Sequence, residues 1–358
     1  MKIAIILGTR PEIIKMSPVI RLFDDRDVDY CLIHSNQHYS KNMDEIFFKE
    51  LNLTLPDYNL KIGSANHGNQ TGRMLVAIEE ILLKEKPDFV LSQGDTNTVL
   101  AAIIAGSKLN IRCGHVEAGL RSYDRRMPEE KNRVICDVIS DFLFAPTDVQ
   151  KEILISEGIL KENIFVVGNT IVDAVYQNKE ISKNKSNIIK KLNLKKNEYI
   201  LFTAHRSLNV DRKESLICLI KIIKKLKEIT NKKIVYPIHP RTKAKLDSFG
   251  LSINNCVLIE PVGYLDFLNL EMNASLIVTD SGGVQEEACI LKIPCITIRE
   301  NTERPETINV GANKLIGLDA DKLKDAIDFF KTKKFNYENP FGDGTTSEKI
   351  LEVLKSQK

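Results

Sequence analysis

Short apolar runs alternate with longer, helix-like stretches along most of the chain. In the first half these runs span residues 3–7, 31–33, 89–91, 111–116, 142–145 and 164–167. In the second half they span residues 199–203, 233–237, 257–259, 276–279 and 294–298. Such runs between helical stretches are typical of parallel strands covered by helices on both faces. We therefore predict an α/β protein with two doubly wound parallel sheets.

The composition changes between residues 179 and 197, where lysine and asparagine dominate and the apolar spacing weakens. A chain of 358 residues is long enough for two domains. We predict an N-terminal Rossmann-like domain over residues 1–175, joined by a C-terminal helix within 343–358. The second Rossmann-like domain then covers residues 176–342.

The bulk composition narrows the class of protein. A net charge of +3 gives no reason to expect nucleic acid or a membrane surface as a partner. No run approaches the roughly 18 apolar residues that a membrane span requires. Seven cysteines without a C-x-x-C pair indicate reduced thiols and a cytoplasmic location.

Six polar segments directly follow predicted strands. In open α/β sheets, ligands bind outside the carboxyl ends of the strands. We therefore expect one ligand, in the cleft between the two domains, to contact all six segments. They span residues 8–15, 94–96, 115–121, 204–206, 239–241 and 280–287.

The segment 280–284, Asp-Ser-Gly-Gly-Val, is the most informative of the six. A strand that opens directly into a helix presents free backbone N–H groups, which bind phosphates. The glycines Gly282 and Gly283 allow close approach. Arg304 is a candidate for completing a diphosphate clamp. Arg10 and Lys15, after the first strand, contact either a phosphate or only solvent.

Acidic residues and histidines supply candidate chemistry. Asp95 is either a helix cap or a catalytic carboxylate, and Glu117 at a buried strand end is poorly explained by packing. Glu129 begins a helix, where the helix dipole alone favours acids. Three acids near one cleft would provide a general acid and a general base.

His205 and His239 each follow a strand and lie near an arginine, which indicates an anion site. We find no metal-ligand spacing, and no G-x-G-x-x-G or G-x-x-x-x-G-K-[ST] motif for a bound nucleotide cofactor. We therefore expect neither a metal nor a cofactor.

Together these residues resemble the non-hydrolysing UDP-N-acetylglucosamine 2-epimerases, over nearly the whole chain. The resemblance implies the GT-B fold, no cofactor, a UDP-sugar substrate and a homodimer. It also implies elimination of UDP to 2-acetamidoglucal, followed by re-addition with inversion at C2. The matching segments are residues 8–12, 93–96, 115–121, 128–133, 205–206, 280–287 and 302–306.

The resemblance also implies roles for individual residues. Asp95, Glu117, Glu129 and His205 would form the catalytic group, and Lys15 would support the substrate. The UDP moiety would be held through diphosphate, ribose and uracil contacts. The residues implied are Ser281, Gly282 and Gly283 with Arg10 and Arg304 at the diphosphate, Glu287 at the ribose and Phe267 near the uracil.

Three departures from the family pattern leave alternatives open. Leu208 stands where a glutamate is common, and Val262 where a glutamine is frequent. Some members bind a second UDP-GlcNAc as an activator, but the stretch 39–45 after His38 matches poorly. Such an allosteric site would use Arg73, Arg206 and His239.

The competing interpretations are a hydrolysing 2-epimerase, an epimerase for a modified UDP-sugar, a GT-B glycosyltransferase and an inactive UDP-sugar-binding module. The first releases free N-acetylmannosamine. The retained acids and His205 argue against the last two.

Overall fold

The structure is a computed structural model that describes residues 1–37 and 43–357. The chain divides into two compact units. Unit 1 comprises Met1–Gln177 and the C-terminal segment that begins at Phe341, and unit 2 comprises Asn178–Pro340. The predicted domain limits of 175 and 342 lie close to these junctions.

Unit 1 contains a seven-stranded sheet in the order β3-β2-β1-β4-β5-β6-β7. All of its strand pairs are parallel. Six of the strands match predicted apolar runs. The two-residue strand β3 was missed because it is too short to give a pattern. The strands are β1 (Lys2–Leu7), β2 (Asp29–His34), β3 (Tyr58–Asn59), β4 (Phe89–Gln93), β5 (Arg112–Val116), β6 (Phe142–Ala145) and β7 (Ile164–Val166).

Helices connect these parallel strands, and a parallel connection requires such a crossover. Apolar side chains of β1 and β4, with those of the adjoining helices, make a core without solvent access. The helices are α1 (Arg10–Asp25), α2 (Met43–Glu50), α3 (His67–Glu85), α4 (Asn97–Lys108), α5 (Pro128–Ile139), α6 (Asp148–Ser156) and α7 (Thr170–Lys185).

Unit 2 contains a six-stranded parallel sheet in the order β10-β9-β8-β11-β12-β13. Four of its strands have the predicted bounds, and only the short β13 was missed. The strands are β8 (Tyr199–Thr203), β9 (Lys233–Pro237), β10 (Val257–Ile259), β11 (Leu276–Thr279), β12 (Cys295–Thr297) and β13 (Asn313–Leu315).

Helices cover both faces of the second sheet, and two separate apolar clusters lie against it. The region 179–197 contains the end of α7 and one short helix. The helices are α8 (Ile188–Lys191), α9 (Ser207–Val210), α10 (Lys213–Thr230), α11 (Pro240–Phe249), α12 (Tyr264–Asn273), α13 (Gly282–Leu291), α14 (Pro305–Asn309) and α15 (Leu323–Thr332).

The last helix, α16 (Thr346–Ser356), belongs to unit 1 and packs on α1. Its start is fixed by Asp173 of α7, which accepts hydrogen bonds from the backbone N–H and the hydroxyl of Ser347, each at 2.9 Å. Among the described residues, no helix is both long and apolar enough to cross a membrane.

Candidate active-site residues

Asp95 lies in the turn between β4 and α4. The residue that caps α4 is Thr96, whose side chain accepts hydrogen bonds from the helix backbone. Helix capping therefore does not account for an aspartate at position 95. Its carboxylate instead accepts a hydrogen bond from Arg133 Nη2 at 2.5 Å, and its side chain is 29% exposed. An acid that is paired with a cation and still reaches solvent is available to a ligand.

Glu117 directly follows β5 and is buried. Lys15 Nζ lies 2.6 Å from Glu117 Oε2, and Gln93 Nε2 also donates to that oxygen. The backbone of Glu117 is left-handed, with φ of 70°. For a non-glycine residue this conformation costs about 1–2 kcal/mol, and such strain concentrates at functional sites.

The strand ends that carry Asp95 and Glu117 are neighbours. β4 and β5 pair in parallel with Gln93 opposite Val116, so the two acids leave the same edge of the sheet. The structure thus brings Lys15, Asp95 and Glu117 to one region of unit 1. Arg10 begins α1 at this edge too, and its exposed guanidinium lies 5.8 Å from the centre of the Phe47 ring.

Glu12 was not predicted, although it connects two loops at this edge. Its Oε2 accepts hydrogen bonds from the backbone N–H groups of Gly8 and Thr9, at 2.5 and 2.8 Å. Its Oε1 accepts from Thr96 Oγ1 at 2.5 Å. Burial raises the pKa of Glu12 to about 7, although its hydrogen bonds act in the opposite direction. The T-x-x-E spacing signals a local capping box, but the bond to Thr96 is tertiary.

The acids at the start of α5 have different surroundings. Glu130 is buried and accepts hydrogen bonds from Ser122, Tyr123 and Arg133, which fixes the preceding loop. Burial opposes its ionisation, but these bonds and the Arg133 charge lower the pKa of Glu130. Glu129 is only half-buried. Glu130 thus has a structural role in the loop before α5, whereas Glu129 remains the candidate for chemistry.

The turn at Ser281, Gly282 and Gly283 connects β11 to α13. The helix begins at Gly282, so both glycines lie in its first turn. A Cβ on Gly282 would lie 3.8 Å from Glu303 Oε2 and 4.0 Å from Arg206 Nη2, which is ordinary contact. Neither glycine has a positive φ. The protein's own packing therefore does not require glycine at either position.

Asp280 has a structural function that the sequence did not reveal. Its buried carboxylate accepts hydrogen bonds from the backbone N–H groups of His205 and Arg206, each at 3.0 Å, and from Asn209 Nδ2 at 3.1 Å. Its Oδ1 lies 3.3 Å from His205 Nδ1. Burial opposes ionisation, but the bonds to His205 and Arg206 lower the pKa of Asp280. Asp280 thereby holds the exposed imidazole of His205 beside the β11 turn.

Arg304 is buried, and its Nε donates to Glu286 Oε1 at 2.5 Å. The neighbouring Glu303 forms a bidentate ion pair with Arg299, at 2.8 and 2.9 Å. Burial opposes the ionisation of Glu303, but Arg299 and Arg206 hold its pKa well below the usual range. The predicted diphosphate residue Arg304 therefore belongs to a wider network of buried charges.

Glu287 and Phe267 lie on α13 and α12. Glu287 is buried, and its carboxylate interacts with Glu271, which is fully buried on α12. Burial, followed by the Glu287 charge, raises the pKa of Glu271 well above its ordinary value. Phe267 is half-buried and packs against the apolar cluster that contains Val284.

The residues suggested for a second UDP-GlcNAc site lie in both units. Arg73 is exposed on α3 of unit 1, and Arg206 of unit 2 lies 3.6 Å from Glu303. His239 caps α11 by accepting a hydrogen bond from the backbone N–H of Arg241, which supplies a structural explanation for it. Burial and then the charges of His205 and Arg241 lower its pKa. His38 and the stretch 38–42 lie outside the described residues.

Two parallel-sheet units with polar groups at their strand ends define a GT-B-like α/β protein. The family model described as UDP-N-acetylglucosamine 2-epimerase matches residues 21–355. The chain belongs to this family.

Similar proteins have been characterised from archaea and bacteria. The chain is 57% identical to the UDP-N-acetylglucosamine 2-epimerase of Methanocaldococcus jannaschii, over 99% of each sequence. The crystal structure of that organism's enzyme in complex with UDP-GlcNAc and UDP matches with a TM-score of 0.92, over 99% of this chain and 100% of the other. The chain is also 38% identical to the UDP-2,3-diacetamido-2,3-dideoxy-D-glucuronate 2-epimerase of Pseudomonas aeruginosa, over 99% of each.

Proposed function

We propose that the protein interconverts UDP-N-acetylglucosamine and UDP-N-acetylmannosamine without hydrolysing the product. The observation that carries this proposal is the placement of Asp95 and Glu117 at adjacent strand ends, each in contact with a cation. The similarity to the M. jannaschii protein supports the choice of substrate.

The chemistry explains why acids are needed. C2 of the sugar carries a hydrogen but has no adjacent carbonyl, so simple deprotonation is very costly. In anti elimination a base takes the C2 proton, the C–H electrons form the C1–C2 double bond, and UDP leaves C1 with the electrons of the C1–O bond. Syn re-addition then delivers UDP to C1 and a proton to the opposite face of C2. Inversion therefore needs groups that serve both faces of the sugar.

Asp95, Glu117, Glu129 and His205 are the proposed acid–base residues, and Lys15 supports the substrate. The buried Lys15–Glu117 pair and the left-handed backbone of Glu117 support a prepared site, because backbone strain concentrates at functional sites. Measuring C2 exchange in single variants would identify which of these residues serves each face of C2.

Unit 2 has the features needed to hold UDP. The turn at Ser281, Gly282 and Gly283 would bind the diphosphate through the backbone N–H groups that begin α13. Arg10 and Arg304 add positive charge that stabilises the departing UDP. Glu287 would accept from the ribose hydroxyls, and Phe267 would contact the uracil.

Incubation with UDP-GlcNAc in D2O, followed by NMR, tests this function. We expect deuterium at C2 of both UDP-sugars and formation of intact UDP-ManNAc. Free N-acetylmannosamine with UDP would instead identify a hydrolysing enzyme. Absence of C2 exchange, with sugar transfer to an added acceptor, would identify a glycosyltransferase and refute the proposal.

A second candidate substrate is a UDP-diacetamido-uronic acid. The P. aeruginosa relative favours it, and so do the departures at Leu208, which is exposed, and Val262. Comparing kcat/KM for the two UDP-sugars distinguishes these candidates. A kcat/KM at least tenfold higher for UDP-GlcNAc would rule out the diacetamido-uronic acid as the substrate.

We also expect a homodimer formed through unit 1. Val134, Ile135 and Val138 of α5, together with Val76 and Leu83 of α3, expose apolar side chains that a second copy would cover. Val138→Glu should therefore convert a dimer to a monomer in light-scattering measurements, while Glu348→Gln on α16 should not. A wild-type monomer would contradict this expectation.

A further inference from the structure

Helix α5 contacts the turn around Asp95 at three positions. Asn132 Nδ2 donates to the backbone carbonyl of Asp95 at 2.9 Å, and Arg133 Nη2 donates to its carboxylate at 2.5 Å. The third contact passes through His115, which lies between Asp137 of α5 and the carbonyl of Gly94. Except for Gly94 and Asp95, all of these residues are buried. One helix thus holds a single short turn through two direct contacts and through a third that His115 of β5 relays.

His115 contacts an oxygen acceptor with each ring nitrogen. Nδ1 lies 2.7 Å from Asp137 Oδ1, and Nε2 lies 2.8 Å from the Gly94 carbonyl oxygen. Asp137 Oδ2 in turn lies 2.7 Å from Arg121 Nη1 and accepts from the backbone N–H of Gly119. As a carboxylate, Asp137 accepts through both of its oxygens. Because a carbonyl also only accepts, both ring nitrogens of His115 must donate, and the ring is an imidazolium.

The charges around His115 agree with this assignment. Burial lowers the pKa of His115, but the Asp137 charge and the bonds to Asp137 and Gly94 outweigh burial and raise it. Glu117 acts in the same direction. Arg121 also pairs with Glu157, so the positive charge of Arg121 is shared between two carboxylates.

These contacts fix the peptide planes on both sides of Asp95. The Gly94 carbonyl belongs to the plane before it, and the Asp95 carbonyl belongs to the plane after it. The Gly94 backbone, with φ of 93°, lies where only glycine is unstrained, so an unsupported turn would have alternatives. The orientation of the two planes sets the direction of the bond from Cα to Cβ. His115 and Asn132 therefore determine where the carboxylate of Asp95 points.

We propose that the His115 imidazolium and Asn132 are positioning residues that orient Asp95 relative to Glu129, which begins the same helix. This inference rests on the proposed function, in which Asp95 and Glu129 exchange protons with the sugar. Neither positioning residue needs to touch the substrate. Displacing a catalytic group by about 1 Å can cost about a hundredfold in rate. We therefore expect the turnover number to depend on both residues, and nucleotide binding to depend on neither.

Kinetics of two variants test the proposal. His115→Gln removes the charge and one donor, and Asn132→Ala removes the donor to the Asp95 carbonyl. Each should lower kcat for C2 exchange by about ten- to a hundredfold, with KM and UDP affinity within about twofold of wild type. Lys131→Ala, at an exposed position of the same helix, is the matched control and should leave kcat unchanged. Variants with normal kcat would overturn the proposal.

The protonation state of His115 is tested in the wild-type protein by correlating ring protons with ring nitrogens in NMR. We expect both nitrogens of this histidine to carry hydrogen at pH 7.5, and a ring with one bare nitrogen would overturn the assignment. If His115→Gln does not fold, the test consists of the kcat of Asn132→Ala and the wild-type spectrum of His115. A normal kcat, or a ring with one bare nitrogen, would then overturn the proposal. The failures are distinguishable, because C2 exchange retained in Asp95→Asn would contradict the proposed catalytic role itself.

Discussion

The strand ends of the two units carry acids that serve different purposes. In unit 1, Glu117 and Asp95 contact cations through their carboxylates, and these charged side chains face the edge where the ligand is expected. In unit 2, Asp280 at the equivalent end of β11 directs its carboxylate to the backbone of the loop that follows the neighbouring strand β8. The backbone N–H groups of the Gly282 turn then remain for an anion. The comparison teaches that one unit offers side-chain charge and the other offers main-chain dipoles.

The largest effect is expected from Asp95→Asn, which removes a proposed proton-transfer group from unit 1. C2 exchange should fall by on the order of 10³-fold, within the range of acid–base catalysis. UDP affinity measured by calorimetry should remain, because Asp95 is not among the residues assigned to UDP. Asp148→Asn, at an exposed acid of α6, is the control. Unchanged turnover in Asp95→Asn would refute its role.

Lys15→Met should remove the cation from the buried Glu117. The side chains are 10% and 4% exposed, so Glu117 would stay buried but lose the cation that lies against its carboxylate. We expect the free energy of unfolding of unit 1 to fall by roughly 4 kcal/mol in urea titrations. The double variant Lys15→Met/Glu117→Gln should recover much of this loss without recovering activity. If the double variant were no more stable than the single one, the ion pair would not be the cause.

The stability of unit 1 should depend on pH through Glu12. The pKa of this carboxyl is raised to about 7 in the folded state, so the folded protein holds a proton that the unfolded chain releases near pH 4.5. Its contribution is fully present below the unfolded pKa and is lost as pH rises through 7. The loss amounts to about 3 kcal/mol at most. Unfolding free energies measured between pH 5 and 8 should show this fall, and Glu12→Gln should flatten it. An equal slope in the variant would assign the pH dependence to other groups.

The smallest effect should come from Gly282→Ala, which probes the main-chain side of the comparison. Alanine fits the packing and should stabilise the helix by about 0.5–1 kcal/mol. Its methyl group would nevertheless obstruct the approach of a diphosphate, so UDP affinity should fall about tenfold, or about 1.4 kcal/mol. Gly72→Ala on α3, where a Cβ meets nothing within 4 Å, is the matched control. If Gly282→Ala bound UDP normally, the diphosphate would have to lie elsewhere.

Much of the fold was predictable from local patterns. The strand bounds 142–145 and 276–279 agree with the structure, because a buried parallel strand is a continuous apolar run. The short β3 and β13 were missed because two or three residues carry no periodicity. The candidate acids were predicted from their places at strand ends, since parallel topology brings these ends to one edge.

The connections among these residues were not predictable. Glu12 bonds Thr96 and His115 bonds Asp137 across long stretches of sequence, and no spacing rule relates such pairs. For the same reason the sequence could not distinguish Glu130, which holds the loop before α5 in place, from its neighbour Glu129.

The sequence by itself determined the parallel α/β architecture, the family, and which residue types stand at the strand ends. These properties depend on periodicity and on motifs a few residues long. Only the tertiary structure decided which acids contact cations, which hold loops in place, and which side chains orient Asp95. Those assignments depend on hydrogen bonds of about 3 Å between residues far apart in the chain, and burial makes each such bond and charge pairing obligatory.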